Sequence, residues 1–478
     1  MNTIAEMMAN ATAAFSRLPA SIIELGEIFR AHDFELSLVG GPVRDAFLGI
    51  EPHDFDLTTN AHPSQTEAAI AKWADAIWDV GRDFGTIAAR KGDVVVEITT
   101  YRTEEYDSDS RKPVVSYGDT LEGDLSRRDF TVNAMAMRLP GFVLVDPFDG
   151  LQDLADGILK TPVSAEQSFE DDPLRIMRAA RFAAQLEADV SYEVMKAMEE
   201  LAPRLEIVSA ERIRSELERL VITDAPRRGL ELMVYVGVAD YVLPELAALR
   251  ETTDEHGRHK DVYQHTLTVL DQAIDLETDD DGPVPRPDFI LRFAAIMHDV
   301  GKPATRRFEG GGKVSFHHHE AVGAKMTRKR MNALKFDKKT TKAVTDLVAG
   351  HLRFHGYGEQ VWTDSAIRRY VADAGEQLER LHRLTRADCT TRNKRKSQYL
   401  SSAYDDLEAR IDELKAQEEL DAIRPDLDGH QIMKLLNVGQ SRAVGEAYKY
   451  LLGLRMEEGP LGEEEATRRL MTWWENRA

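Results

Sequence analysis

The pattern of hydrophobic and polar positions divides the chain into two parts with different secondary structure. Between about residues 35 and 147, short runs rich in β-branched residues are separated by turn residues, which predicts strands. The runs are FELSLVGG, HDFDLTT, GTIAAR, DVVVEITTYR, TVNAMAMRL and FVLVDPFDG. Helical patterns lie between them, such as the segment from Ser64 to Ile77. This part of the chain is therefore predicted to form a small α/β or α+β domain.

After Gly150 the pattern becomes helical and stays helical to the end of the chain. Apolar residues recur at spacings of three and four in PLRIMRAARFAAQL, SYEVMKAMEELAPRLEIV and RIRSELERLVI, which is typical of helices that bury one face. Residues 107–119 and 277–288 are rich in acidic residues and contain Gly and Pro, so we predict that both are loops. No internal repeat of fixed period is visible.

Length and composition narrow the class of protein. A chain of 478 residues with 42% hydrophobic and 30% charged residues is expected to form roughly two to four globular domains. No window reaches about 18 uncharged apolar residues and the N-terminus has no secretory pattern, so we predict a cytoplasmic protein without a membrane partner. The single cysteine, Cys389, excludes an internal disulfide and a cysteine-rich zinc site.

The net charge of −22 argues against a protein covered with phosphate-binding residues. Two basic islands nevertheless interrupt the acidic chain, at Lys325–Lys342 and at Arg383–Lys396. Each is explained either as a solvated helix face or as a contact surface for nucleic acid, because local patches decide such contacts.

Two aspartates lie one residue apart within the segment LVGGPVRDAFLGIEPHDFDLTTN, which runs from Leu38 to Asn60. In a strand, Asp54 and Asp56 project to the same side, while Phe55 faces the core. Carboxylate pairs need a counter-charge, and ligand sets made only of oxygen favour Mg²⁺. The alternative is a surface strand end without a metal.

The residues before this pair are suited to a triphosphate. Gly40 and Gly41 allow a close backbone approach just before a predicted helix start, and Arg44 can add a charge-assisted contact. Two-metal phosphoryl transfer often uses a third carboxylate, for which Glu97 on a predicted neighbouring strand is our candidate.

Five ordered motifs resemble those of class II CCA-adding tRNA nucleotidyltransferases, which are relatives of bacterial poly(A) polymerases. The motifs are LVGGPVRDAFLG with HDFDLTT, then GRDFGTIAA, RRDFTVNAMAM, VDPFDGLQDL and DDPLRIMRAARFAAQL. The resemblance is close from Leu38 to Leu186 and loose beyond. It implies an α+β fold, in which a polymerase-β-like nucleotidyltransferase α/β head at 20–150 precedes an all-helical remainder. The expected remainder is an RNA- and nucleobase-binding neck at 151–250, an HD body at 251–395 and a tail at 396–478.

The later motifs supply further candidate residues for nucleotide binding. In RRDFT, Arg128 is expected to bind the triphosphate or a ribose edge, whereas Arg127 and Asp129 are better explained by a structural salt bridge. In DDPLRIMRAAR, four residues recur at steps of three along a helix face: Asp172, Arg175, Arg178 and Arg181. The resemblance implies that Asp172 and Arg175 accept C or A and reject U and G, with Arg178 and Arg181 nearer the phosphates. The alternative is an exposed, ion-paired helix face.

One residue of these motifs departs from the family pattern, and two segments are interpreted as a hinge and a flexible loop. Asp171 stands where the family usually has Glu, which shortens the side chain and leaves only its supporting role in question. Residues 145–154 are interpreted as the hinge between head and neck. The loop from Thr103 to Tyr117 matches the element that, in the family, helps to switch the pocket from CTP to ATP.

A second set of residues in the helical part resembles the HD metal-dependent phosphohydrolase superfamily. The set comprises His265, His298, Asp299, His319, His351 and Asp388. Imidazole and carboxylate ligands suit Mg²⁺, Mn²⁺, Ni²⁺ or Fe, and a bound metal activates water for phosphoester hydrolysis. Lys302 favours an anionic substrate, and His317 and His318 are expected to lie outside the site. The sequence leaves open whether this site hydrolyses phosphates on damaged tRNA ends or only helps to hold tRNA.

The expected activity is template-independent, Mg²⁺-dependent addition of C, C and A to the tRNA 3′ end from CTP and ATP. The alternatives within this fold are a poly(A) polymerase and a CC-adding enzyme; GRDFGT at 81–86 and the full loop before RRDFT argue against them. Other classes of protein provide two alternatives. The first is an HD phosphohydrolase with a degenerate nucleotide-binding head, and the second is an RNA-binding scaffold. The intact HDFDLTT and RRDFT motifs argue against the first, and two complete ligand sets argue against the second.

Overall fold

The computed structural model of the chain describes residues 3–52, 55–81, 85–105, 114–118, 120–252, 261–309, 313–357, 362–390, 394–418 and 423–477. The chain divides into two compact units, Met1–Val242 and Leu243–Ala478. None of the helices in the described ranges has the length and apolar character that a membrane crossing requires.

A seven-stranded mixed sheet forms the centre of the first unit. The strands of this unit are β1 (Leu36–Val39), β2 (Phe55–Thr59), β3 (Ala76–Gly81), β4 (Thr86–Lys91), β5 (Val94–Thr100), β6 (Arg102–Glu105), β7 (Val114–Tyr117), β8 (Ala136–Leu139), β9 (Val143–Val145), β10 (Ile158–Leu159) and β11 (Asp189–Val190). The order in the sheet is β3-β4-β5-β2-β1-β8-β9, and only β2 and β5 pair in parallel. Strands β6 and β7 form a separate hairpin.

Twelve helices of the first unit, all within the described residues, pack around and beyond this sheet. They are α1 (Ile4–Ser16), α2 (Ala20–Ala31), α3 (Gly41–Leu48), α4 (Pro63–Ile70), α5 (Leu121–Ser126), α6 (Gly150–Asp156), α7 (Ala165–Asp171), α8 (Leu174–Gln185), α9 (Tyr192–Leu201), α10 (Ala210–Val221), α11 (Pro226–Tyr235) and α12 (Ala239–Val242). Leu38 and Val39 of β1 are buried, as are Val43 and Phe47 of α3, so the strand and the following helix share one core.

The second unit is mainly helical. Its helices are α13 (Pro244–Ala247), α14 (Val262–Asp275), α15 (Phe289–Met297), α16 (Lys302–Thr305), α17 (His319–Ala333), α18 (Lys338–Gly350), α19 (Asp364–Ala374), α20 (Leu378–Ala387), α21 (Lys394–Gln417), α22 (Gly429–Leu436), α23 (Arg442–Glu458) and α24 (Glu463–Glu475). Strands β12 (Arg307–Glu309) and β13 (Lys313–Ser315) form a hairpin between α16 and α17. The last three helices share a buried cluster that includes Leu436, Leu451 and Leu470.

The predicted fold class is confirmed, because a mixed-sheet head precedes a helical remainder, and each of the six predicted strand runs contains a strand. The predicted helix from Ser64 to Ile77 is wrong at its end. Helix α4 stops at Ile70, and residues 76–81 pair with β4 instead, because sheet pairing overrides a local helical pattern. Residues 114–117 of the predicted loop at 107–119 form β7, while 277–288 contain no helix or strand. The short strands β10 to β13 are further exceptions to a purely helical remainder.

Candidate active sites

The sheet places two acidic residues side by side at the first candidate site. Strands β2 and β5 pair in parallel with Asp56 directly opposite Glu97, and both residues are exposed. Phe55, between the two predicted aspartates, is only 7% exposed and faces the core as predicted. Glu97 therefore lies on a neighbouring strand, as expected for a third carboxylate. Asp54 lies outside the described residues.

The glycine pair marks the start of helix α3, which follows β1. Gly40 is the N-cap residue and has φ +74° and ψ −130°, a backbone conformation that is accessible mainly to glycine. A Cβ atom on Gly40 would lie 2.9 Å from Nη1 of Arg128. The lack of a side chain at Gly40 thus lets the Arg128 guanidinium approach the start of α3, where backbone N–H groups favour anions.

Arg128 lies beside Asp124 of α5, which in turn contacts Thr58 of β2. Its Nη2 lies 3.5 Å from Oδ2 of Asp124, and the hydroxyl of Thr58 donates a hydrogen bond of 3.3 Å to the same oxygen. Thr58 follows Asp56 on β2 by two residues, so it connects the sheet to α5. This network sets the direction of the Arg128 guanidinium, which faces Gly40.

Arg44 has a buried position within the same unit. It is 5% exposed, donates from Nη1 to Oδ1 of Asn133 at 2.7 Å, and donates from Nε to Oδ1 of Asp45 at 2.8 Å. These contacts tie α3 to the segment after RRDFT. Its predicted contact with a nucleotide stays a prediction.

Asp129 is buried and forms an ion pair with Arg178 of α8, whose side chain is partly exposed. Arg178 donates from Nε to Oδ2 of Asp129 at 2.7 Å, and Asn133 donates to the other carboxylate oxygen at 3.0 Å. Burial disfavours the charged carboxylate, but the Arg178 charge and the Asn133 hydrogen bond outweigh burial and lower the pKa of Asp129. The predicted salt bridge at Asp129 therefore exists with a different partner.

Arg181 is also buried, in contrast to the exposed helix face that was the alternative explanation. It is 7% exposed and donates from Nε to Oε2 of Glu216 at 2.6 Å, while its guanidinium lies 4.0 Å from the ring centroid of Phe182. Glu216 belongs to α10 and is 4% exposed. This pair joins α8 to α10. A role of Arg181 near the phosphates stays a prediction.

Asp172 and Arg175 are close in sequence but have separate partners. Arg175 donates to Oγ of Ser168 at 2.8 Å and to the backbone carbonyl of Arg127. The carboxylate of Asp172 accepts from the Leu174 N–H at 3.1 Å and from Nη2 of Arg212 at 2.9 Å.

Sequence reasoning did not find Arg212. It lies forty residues after Asp172 in the arginine-rich helix α10, and only the packing of the helices brings the two side chains together. The available signal was the motif RIRSELERLVI, which was interpreted solely as an amphipathic helix.

The second unit assembles the predicted histidines and aspartates into one cluster. Nε2 of His265 lies 3.0 Å from Oδ1 of Asp388 and 3.6 Å from Oδ2 of Asp299. Nε2 of His298 and Nε2 of His319 each lie 3.2 Å from an oxygen of Asp299. Asp299 is thus the centre of two overlapping groups whose ligand atoms lie within 4.8 Å of one another.

Three histidines of this cluster have the same orientation. In each, Nδ1 lies within 2.9 Å of the backbone carbonyl oxygen three residues earlier, and the pairs are His298 with Ala295, His319 with Phe316 and His351 with Val348. A hydrogen bond from Nδ1 fixes the tautomer and leaves Nε2 as a ligand atom. The Nε2 atoms of these three histidines are buried. That of His351 makes no hydrogen bond to any described residue, and those of His298 and His319 have only the Asp299 carboxylate beside them.

This arrangement fits a divalent metal ion. Buried polar atoms without a partner are costly, and three inward-facing Nε2 atoms with an adjacent carboxylate are a suitable donor set. Burial disfavours the charged form of His298, but the nearby Asp299 and Asp388 carboxylates raise its pKa to about 9. For His351, burial and the charge of His298 lower the pKa to about 3. The two histidines therefore have opposite protonation preferences when no cation is bound.

The surroundings of the cluster agree in part with expectation. His317 and His318 are exposed and lie outside it, while Nζ of Lys302 lies 2.7 Å from Oδ2 of Asp299. Lys302 therefore offsets the charge of the cluster in addition to any effect on a substrate. In the second basic island, Arg383 and Arg386 form ion pairs within the unit.

The fold and the two sites define a class of protein with a nucleotidyltransferase head and an HD-type metal site. Three family models match the chain: "Poly A polymerase head domain" at residues 36–160, "Probable RNA and SrmB- binding site of polymerase A" at 189–249 and "HD domain" at 262–393. Both the head and the HD domain are of kinds that depend on divalent metal ions.

The chain belongs to the tRNA nucleotidyltransferase family. It is 33% identical to the A-adding tRNA nucleotidyltransferase of Deinococcus radiodurans, over 92% of this chain and 95% of that enzyme. It is 39% identical to a CCA-adding enzyme of Streptococcus pneumoniae over 52% of this chain, a match that spans only about half (56%) of that relative. The predicted resemblance is thereby confirmed.

Solved structures share the fold along nearly the whole chain. The CCA-adding enzyme of Bacillus stearothermophilus in complex with CTP has a TM-score of 0.69 at 22% identity, covering 96% of this chain and 98% of that one. The Thermotoga maritima CCA-adding enzyme, solved in complex with tRNA, has a TM-score of 0.62 at 18% identity, covering 97% and 98%.

Proposed function

We propose that this protein adds C, C and A to the 3′ end of tRNA, taking the nucleotides from CTP and ATP. The observation that carries the proposal is the pairing of Asp56 with Glu97 on adjacent strands of the unit in which the Arg128 guanidinium lies against Gly40 at the start of α3. The names of the family relatives, which are A-adding and CCA-adding enzymes, support the same substrate class.

In the proposed reaction, the tRNA 3′-hydroxyl attacks the α-phosphate of the nucleotide. A new phosphodiester bond forms, the bond to the β-phosphate breaks, and pyrophosphate leaves. Asp54, Asp56 and Glu97 would hold Mg²⁺, which when bound lowers the pKa of the attacking hydroxyl and neutralises the leaving group. The N–H groups at the start of α3 and the Arg128 guanidinium bind the triphosphate.

Base selection is assigned to Asp172 and Arg175. A carboxylate accepts from the amino group of C or A, and a guanidinium donates to a ring nitrogen, so U and G present the wrong pattern. The contacts of Arg44, Arg178 and Arg181 support a role in holding the elements of the pocket together.

The test is incubation of the purified protein and Mg²⁺ with three tRNAs, which end before CCA, after C or after CC. CTP and ATP are supplied singly and together. Two C additions followed by one A are expected, and Asp56→Asn should abolish them, whereas Asp412→Asn on the surface of α21 should not. Long A tails or no incorporation would overturn the proposal.

A second candidate is an enzyme that adds only the final A. It is favoured by one observation, that the Deinococcus radiodurans relative, aligned over 95% of its own length, is named an A-adding enzyme. The same experiment separates the two candidates, because an A-adding enzyme would extend only the tRNA that already ends in CC.

We further propose that the HD cluster is a metal-dependent phosphohydrolase acting on phosphorylated RNA ends, with Mg²⁺, Mn²⁺, Ni²⁺ or Fe as its metal. The inward-facing Nε2 atoms of His298, His319 and His351 support this proposal. The assignment is tested by measuring hydrolysis of p-nitrophenyl phosphate with each metal and with His351→Ala. The cytoplasmic location and the four-part division into head, neck, body and tail remain predictions.

A further inference from the structure

A cavity of about 300 Å³ lies in the second unit and has no part in the functions described so far. Its lining comes from helices α14 and α21 and from the end of α20 with the residues that follow. The lining includes Gln272, Asp275, Leu276, Arg386, Cys389 and Tyr404. Its volume is at the lower end of the range of small-molecule sites.

The cavity is next to the metal-binding cluster. Cys389 directly follows Asp388, whose Oδ1 lies 3.0 Å from Nε2 of His265. Gln272 follows His265 by seven residues on α14, which places it two turns and about 10 Å further along the same face of the helix. Gln272 in the cavity lining is therefore separated from His265 of the cluster by about the span of one nucleotide.

The lining combines fixed apolar surface with groups that pair with a base. The Tyr404 ring stacks on Phe354 at a centroid distance of 3.7 Å, and its hydroxyl donates to the Thr385 carbonyl at 2.8 Å, so the side chain is held in place. The Gln272 amide offers donors and an acceptor, and the Asp275 carboxylate offers acceptors only. This combination suits a heterocycle with an exocyclic amino group next to a ring nitrogen.

We propose that this cavity binds the nucleoside part of a nucleotide or RNA 3′ end whose phosphate lies at the HD cluster. Gln272 and Asp275 contact the base edge, and adenine and cytosine are preferred over uracil. The inference deepens the proposed phosphohydrolase function and rests on it for the position of the phosphate.

The position of Cys389, the only cysteine in the chain, allows a direct binding test. The full-length protein is alkylated with iodoacetamide in the presence of EDTA. The reaction also contains either adenosine 2′,3′-cyclic monophosphate or inorganic phosphate. The cyclic nucleotide should slow alkylation about tenfold at roughly ten times its Kd, and phosphate should not. Equal protection by both compounds, or by neither, would overturn the assignment of the cavity.

A kinetic test uses the metal-loaded protein. Asp275→Asn should raise the KM for the cyclic nucleotide about fivefold, since a hydrogen bond to a charged acceptor becomes one to a neutral acceptor while the site stays partly open to solvent. Its kcat and its hydrolysis of p-nitrophenyl phosphate, which lacks a nucleoside, should not change. Asp412→Asn is the matched control on α21. An unchanged KM in Asp275→Asn would contradict the inference.

The two tests distinguish this inference from the function on which it rests. If the wild-type protein hydrolyses neither compound with any metal, the phosphohydrolase proposal fails. Alkylation in EDTA still reports on nucleoside binding in that case, because it requires no turnover. Hydrolysis of both compounds without nucleotide protection of Cys389 would sink only the cavity assignment.

Discussion

At the scale of single residues, Asp129 keeps a negative charge in a buried position, at 7% exposure, because Arg178 and Asn133 both donate to it. The same pattern recurs between Arg181 and Glu216. Arg178 joins α8 to the segment after α5, and Arg181 joins α8 to α10, so both arginines hold in place the helix that carries Arg175. Removing one partner of such a pair leaves a buried charge without compensation.

The Asp129 pair predicts how stability depends on pH. The folded-state pKa of Asp129 is lowered, so its charge stabilises the fold above the unfolded pKa, near 4, and this contribution is lost as pH falls through the folded pKa. Asp129→Asn should therefore lower the free energy of unfolding at pH 7 by about 1–3 kcal/mol, because the Arg178 side chain left behind is partly exposed. Urea unfolding at pH 7, 5 and 3.5 checks this; a difference from wild type that does not shrink between pH 5 and 3.5 would contradict it.

Arg212 is predicted to orient Asp172 for base selection. Arg212→Ala removes the 2.9 Å contact and should reduce the preference for CTP over UTP about fivefold, or ~1 kcal/mol for a partly exposed pair. The measurement is the ratio of kcat/KM values for the two nucleotides, with Arg212→Lys expected to restore part of it. Lys196→Gln removes an exposed charge from α9 and serves as the control. An equal decrease in kcat/KM for CTP and for UTP would mean that Arg212 has only a structural role.

At the scale of elements, the short helix α3 depends on the residue that starts it. Gly40 has a positive φ, and a Cβ atom there would lie 2.9 Å from Nη1 of Arg128. Sequence alone predicted the helix start, because a glycine pair follows an apolar strand. The close approach of Arg128, 88 residues later in the chain, required the folded sheet.

Substitution of Gly40 tests this arrangement. Gly40→Ala should cost about 1–3 kcal/mol of stability through backbone strain and should raise the KM for ATP by displacing Arg128. Thermal unfolding and nucleotide incorporation are the two measurements. Gly453→Ala in the exposed interior of α23 meets no atom within 4 Å and should instead stabilise by about 0.5–1 kcal/mol. Similar effects of the two substitutions would contradict the assigned role of Gly40.

At the scale of the whole molecule, two compact units each carry one candidate site. The acidic pair and the helix start lie in the first unit, and the histidine cluster lies in the second. Each cluster is assembled from residues of its own unit, so the two proposed chemistries are separable by substitution.

His351→Ala should demonstrate this separation. It removes one Nε2 ligand atom from the second unit, so we expect metal binding to weaken at least about tenfold and phosphoester hydrolysis to be lost. Nucleotide addition to tRNA should stay within about twofold of wild type, because no residue of the first unit changes. Calorimetric metal titration and the two activity assays provide the test. Loss of nucleotide addition in a folded variant would show that the sites are coupled.

The candidate residues differ in how well the sequence could predict them. A period of two in HDFDLTT places Phe55 inward and Asp56 outward without further information, and the structure agrees. The pairing of Asp129 with Arg178 could not be deduced, because three arginines at similar spacing were equally available. The predicted end of α4 was wrong for a related reason, since residues 76–81 gain hydrogen bonds from β4 that no local pattern reveals.

The sequence by itself determined the fold class, the family, the positions of six strands and the residue types available for chemistry. These properties follow from local periodicity and from motifs that are contiguous along the chain. The tertiary structure alone decided which arginines form ion pairs inside the protein, which histidine nitrogens point into the HD cluster, and where a cavity is formed. Such contacts join residues tens of positions apart, and their geometry is set by packing between elements, which no local pattern records.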